Sequence, residues 1–304
     1  MIVRPRSHWL RMLFVWRGSV IPHILPQLAL IAAVAAVVTL ADGAVFGHKL
    51  ALTAVPFTLL GITLAIFLGF RNTVSYERYW EARKLWGGLL NDSRSLARQV
   101  LTVADAAPER QREIVYALIA FVHALRHQLR GSRADADLAR LLPADAAAAL
   151  GGARFVPALL LLRLGESLRA LRREGALEPV LLPALEQTLS RLSDVLGGCE
   201  RIAGTPIPFA YSLLLHRTIY LYSFLLPFAL VDAIGAVTPL IVVFIAYTFF
   251  GLEALAEEIQ DPFGVEQNDL PLAAMSDSIE ATLREMLGEG ALPPPRAARD
   301  YVLL

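Results

Sequence analysis

Apolar residues along this chain gather into four long runs, at 24–40, 50–70, 218–236 and 237–252. About 20 helical residues cross the hydrocarbon core of a bilayer, so each run is a candidate span, the first and last of them short. None has a charge in its middle, although Asp232 lies near the end of the third, and only a turn around "DAIGAVTP" separates the last two. Between the two pairs lies a long stretch, 71–217, where apolar residues recur at helical rather than alternating spacing. The predicted fold class is all-α. The pattern divides the chain into 1–23, a first hairpin at 24–70, a helical segment at 71–217, a second hairpin at 218–256 and a C-terminal segment at 257–304.

The second run carries a finer pattern. Gly61, Ala65 and Gly69 recur at every fourth position, and so do Ile62, Ile66 and Phe70 one residue later. Four helical residues advance about 6 Å and turn about 400°, so each set stays on one face, the two faces about 100° apart. Small residues at this spacing let helix backbones approach closely within a membrane. Such packing, repeated around an axis, would bring the Ile62, Ile66 and Phe70 faces together as a narrow, water-poor throat able to gate by dewetting. Lipid-facing positions or ordinary helix packing would give the same periodicity, and spacing alone leaves both readings open. Past Phe70 the helix has no glycine or proline before Gly87, so it is expected to run on through Arg71.

Orientation follows from the basic residues beside the spans. Arg4, Arg6, Arg11 and Arg17 precede the first, Arg71, Arg78, Arg83 and Lys84 follow the second, and Arg201 and Arg217 flank the third, whereas the short links hold Lys49 alone. The positive-inside rule then places both termini and the central segment in the cytoplasm. The N-terminal segment, basic with Trp9, Leu10, Leu13, Phe14 and Trp16, suits a helix lying on the membrane surface, and its length argues for a retained span rather than a cleaved signal. Trp9, Trp16, Trp80 and Trp86 read as interfacial anchors, and His216 and Arg217 as side chains snorkelling at a span end. "RFVPALLLLRLG" is too short to span and reads as a buried helix whose apolar positions call for a neighbouring copy. The tail "LPPPR" is expected to be disordered.

Composition sharpens this picture mainly by exclusion. The chain has 304 residues, 56% hydrophobic and 18% charged, against about 25% charged in a usual soluble domain. Zero net charge gives no support for nucleic-acid binding, and the single cysteine, Cys199, excludes an intrachain disulfide. Of six histidines, His123 and His127 share a helix face, but "HALRH" lacks the glutamate of a zinc-hydrolase motif and Arg126 and Arg130 would repel a cation. No metal site and no catalytic site are expected. Mid-membrane acids, matched broken helices and an arginine ladder are missing too, which argues against proton-coupled transport and voltage sensing and leaves passive conduction.

Three blocks then carry a resemblance. "FLGFRNTVSYERYWEARKLWG", "GCERIAGTPIPFAYSLLLHRTIYLYSFLLPFALV" and "AEEIQDPFGVEQNDLPLAAM" lie in the order found in bestrophins and resemble the bacterial members of that family. The resemblance implies a pentameric ion channel of four transmembrane helices per subunit in the bacterial inner membrane, with one axial pore and a helical cytoplasmic region. It implies a hydrophobic neck at Ile62, Ile66 and Phe70, beside the packing stripe of Gly61, Ala65 and Gly69, and a cytoplasmic aperture at Ile207. Lipids, permeant inorganic ions and further copies of the chain are the implied partners. Conduction of chloride and other anions is the family default; cation selectivity, as some bacterial relatives favour, and a non-conducting scaffold are the alternatives. Animal members hold calcium with a dense acidic run after P-F-G. Here "VEQND" offers only Glu266 and Asp269, so no calcium clasp is expected.

Overall fold

The computed structural model describes residues 1–5, 8–45, 48–50 and 52–304; Arg6 lies outside the described residues. Helix dominates, as it must where a bilayer offers no water to satisfy backbone groups. After a single turn, α1 (Trp9–Met12), comes α2 (Ile21–Leu40), with a proline in its first turn where a missing amide is harmless. A two-residue hairpin, β1 (Ala44–Val45) and β2 (His48–Lys49), follows. These strands are too short for alternation to be read, and the sequence reading contained no strand.

The next helix, α3 (Ala54–Val103), is 50 residues long, which is about 75 Å. It passes straight through Gly87 and Gly88, because the side chains around them, Trp86 and Leu89, are fully buried. Then follow α4 (Pro108–Leu129), α5 (Asp135–Leu141), α6 (Ala144–Leu150), α7 (Val156–Arg173), α8 (Leu182–Gly204), α9 (Phe209–Ile234), α10 (Thr238–Ile259) and α11 (Leu272–Met286). A 3-10 turn at Gly235–Val237 joins α9 to α10 as expected, with Gly235 at φ 53°, a conformation open mainly to glycine. Both helices run well beyond the apolar limits read at 218 and 252. Hydropathy marks the depth of lipid, whereas capping and packing mark where a helix ends.

The chain forms two compact units. One contains Arg4–Tyr79 and Pro206–Asp261, the other Met1–Val3, Trp80–Thr205 and Pro262–Leu304, so α3 contributes to both. In the apolar unit α2, α9 and α10 pack on one another around Ile31, Ala35, Ile219, Val242 and Ala246, with Leu64 and Leu68 of α3 joining the same core. Three stretches, Ile21–Leu40, Ala54–Val103 and Phe209–Ile259, are long and apolar enough to cross a membrane.

The polar unit is built around α4. Every residue from Leu118 to Leu125 is buried, because α5, α7, α8 and α11 surround the helix. Trp86 corrects the reading as an interfacial anchor: it is fully buried in this unit, whereas Trp9 and Trp16 are exposed with Leu10, Leu13 and Phe14. His123 is likewise buried rather than superficial. The chain ends meet here, with the Met1 amine donating to the Leu303 carbonyl at 2.7 Å and Arg296 paired with Asp277 at 2.8 Å.

Candidate functional site

The apolar segment of α3 has two opposed faces. Ile62, Ile66 and Phe70 are 56%, 53% and 62% exposed, which is unusual for three large side chains in register. Leu64, Leu68, Arg71 and Ser75 are buried, and 100° per residue puts their mean direction about 170° from that of the first set. Burying one face therefore aims the other directly outward. Of the small-residue stripe between them, Gly61 is half-buried, and a Cβ there would meet the Tyr222 hydroxyl at 3.0 Å. Ala65 and Gly69 are exposed, with nothing within 4 Å of a Cβ at Gly69. Ile207 is half-buried in the extended link before Pro208, the residue that caps α9.

One residue beyond Phe70 the structure holds a polar cluster that sequence reading missed. Arg71, only 2% exposed, places Nη1 3.7 Å from Oε1 of Glu253 on α10. The same Oε1 lies 2.9 Å from Nδ1 of His216 on α9. His216 was read as a snorkelling side chain; it is half-exposed but anchored, with the Tyr220 ring 4.6 Å away. The next residue along α3, Asn72, donates to the Leu252 carbonyl at 3.2 Å, and Arg78 Nε donates to the Gln260 carbonyl at 3.0 Å. Glu253 escaped notice because it follows the last apolar run and reads as the first residue of an acidic exit, "EALAEE". No local signal links it to Arg71, far away in the chain.

At the opposite end of α9, Lys49 Nζ lies 2.6 Å from Asp232 and 3.4 Å from Asp42, which ties the hairpin to the helix. In the polar unit the P-F-G turn is packed rather than open: Phe263 is buried and its carbonyl accepts from Arg130 at 3.4 Å. Asp269 turns its carboxylate to the Glu266 amide at 2.7 Å, while Glu266 is exposed. The two carboxylates thus take different surroundings, one turned to a backbone amide and the other open to solvent. Among the described residues no three His, Cys, Asp or Glu side chains group as metal ligands.

The arrangement defines a mostly helical membrane protein in which α3 carries an ordered exposed apolar face and, opposed to it, the buried Arg71 that meets Glu253. It has the chemistry of a passage or contact surface rather than of bond-making, and the chain is not an enzyme. The family model described as bacterial/fungal bestrophin protein matches residues 1–285, and the chain belongs to that family. It is similar to a voltage-dependent anion channel-forming protein of Ralstonia nicotianae, 50% identical over the whole of both chains. A protein of the same description in Escherichia coli (strain K12) is 47% identical over 96% of each. Among solved structures, the crystal structure of a bacterial bestrophin homologue from Klebsiella pneumoniae is 43% identical, with a TM-score of 0.85 over 88% of this chain and 100% of that one.

Proposed function

We propose that this protein is the subunit of a membrane channel that passes small inorganic anions passively through an axial pore, with Ile62, Ile66 and Phe70 as its hydrophobic neck. The observation that carries the reading is the outward aim of these three side chains from a face opposite to the buried one. Copies arranged around an axis, five by the family resemblance, would turn these faces inward. Ions would then cross an apolar constriction partly dehydrated. Gly61, Ala65 and Gly69 would be the close helix contact beside the neck, and Ile207 a second constriction before α9. The names of the Ralstonia and Escherichia relatives support anions over cations.

In this reading α2, the first part of α3, α9 and α10 are the four spans. The excess of basic residues around 71–84 and before α2 puts both termini in the cytoplasm. The exposed aromatics of residues 9–16 rest on the lipid surface, and the channel works without bound calcium.

The test is the reversal potential of the purified protein in a planar bilayer under a sodium chloride gradient. Anion conduction predicts the sign of the chloride equilibrium potential. The sodium sign would make this a cation channel, and no current above the lipid background would leave a non-conducting scaffold.

A further inference from the structure

The cluster at Arg71 poses a question of energetics. A buried ion pair is weak support for a fold: desolvating both charges costs about as much as their attraction returns, and well-packed apolar side chains of the same volume often stabilise more. This pair is not even well satisfied. Arg71 Nε and Nη1 have no hydrogen-bond partner among the described residues, and Nη1 stands at 3.7 Å from the carboxylate, beyond hydrogen-bond range. His216 holds the same carboxylate oxygen at 2.9 Å. Stability alone gives no reason for these two charges.

Geometry supplies one. Arg71 is adjacent to Phe70 on α3, on the face opposed to the three outward side chains. Two polar contacts to α10 and one to the residue just past its end follow one another along the helix, from Arg71 to Glu253, from Asn72 to the Leu252 carbonyl and from Arg78 to the Gln260 carbonyl. Apolar packing by Leu64 and Leu68 tolerates some rolling of a helix about its axis, because dispersion is non-directional. The hydrogen bonds of Asn72 and Arg78 are directional, and rolling α3 would also pull the Arg71 charge away from Glu253 in a low-dielectric interior, where separating opposite charges is costly.

We propose that Arg71 and Glu253 are positioning residues for conduction: the pair between α3 and α10 fixes the roll of α3, and so how far Ile62, Ile66 and Phe70 project into the ion path. His216 completes the clamp by tying the same carboxylate to α9. This proposal rests on the neck reading above.

The experiment is a double-mutant cycle on unitary conductance, with Glu253→Gln made both in the native neck and in Ile66→Ala. With the native neck, Glu253→Gln splits the unitary current into several levels and shifts its mean by about threefold or more, as expected for coupled neighbours. In the Ile66→Ala channel the same change has little effect, since a widened neck no longer limits the current, and the reversal potential stays unaltered in both. The same factor in both necks, or a shifted reversal potential, would mean that the carboxylate acts on the ion itself and would overturn the proposal. So would an unchanged current in the native neck. An Ile66→Ala channel that conducts like the wild type sinks the neck reading instead, and the positioning role with it. Should Glu253→Gln fail to assemble, Arg71→Met with Glu253→Leu removes both charges at similar volume and leaves no lone buried ion. The same neck-dependent shift is expected from that pair, and native conductance from it would overturn the proposal.

Discussion

The two units of this molecule treat buried charge in opposite ways. In the polar unit Glu280 receives His123 at 2.8 Å and both Nη atoms of Arg140 at 2.7 Å, and Asp137 receives Arg126, His127 and Arg140 within 2.9 Å. Each carboxylate is satisfied several times over, and the network locks α4, α5 and α11 together. In the apolar unit the buried Arg71–Glu253 pair stands beyond hydrogen-bond range, and guanidinium nitrogens of Arg71 remain without a hydrogen-bond partner among the described residues. In the polar unit His123 Nδ1 also lacks a hydrogen-bond partner among the described residues. Even so, carboxylates held by several donors rigidify their surroundings, whereas an ion pair without a direct hydrogen bond costs stability and calls for another explanation. The polar unit is thus built to hold its shape, and the apolar unit to present one face.

That contrast breaks first on stability. Trp86→Ala, in the packed centre of the polar unit, is expected to cost about 3–5 kcal/mol, whereas Ile62→Ala on the exposed face costs little. Thermal melts of the two detergent-purified variants give the comparison. Equal losses would mean that Ile62 is packed as a core residue.

Glu280→Gln comes next, at about 2–3 kcal/mol, a figure reduced because Arg140 is partly exposed. Burial by itself would push Glu280 up, but hydrogen bonds from His123 and Arg140 outweigh it and hold the carboxyl well below the usual range; Asp137 is lowered in the same way by His127, His123 and Arg140. A carboxylate depressed in the folded state adds stability that is complete above its unfolded value and lost as pH falls through the folded one. The melting temperature should therefore drop as pH falls below about 4, and less steeply in Glu280→Gln. Parallel slopes would contradict the role given to this network.

The smallest effect concerns Cys199. It is buried in α8, and burial, with Glu200 and Glu81 nearby, pushes its thiol up to about 12. The native protein should resist maleimide and react once denatured. Rapid native labelling would show that α8 opens readily.

Much of this was legible in advance, for physical reasons that differ by region. The four apolar helices follow from hydropathy, because lipid demands long uninterrupted runs. The face of Ile62, Ile66 and Phe70 follows from helical period, and α4, α7 and α8 from the same rule. The length of α3 past Gly87 was not readable, since tertiary packing around Trp86 overrides the weak helix preference of glycine. α11 is different: rich in Ala, Leu, Met, Glu and Arg, with buried residues at helical spacing, it carries a plain helix signal. Reading 257–304 as a C-terminal segment with a disordered tail passes that signal over. The Arg71–Glu253–His216 cluster lay beyond the sequence for a reason of its own. Each residue looks ordinary at a span end, and only the folded chain brings α3, α9 and α10 together.

The central claim is that ions cross an apolar constriction made by one face of α3. Unitary conductance of the channel with Ile62, Ile66 and Phe70 all replaced by alanine tests it most directly. Removing the large side chains should raise the conductance by about tenfold, equivalent to ~1.4 kcal/mol off the ion's barrier. A folded, membrane-inserted triple variant with wild-type conductance would contradict the account.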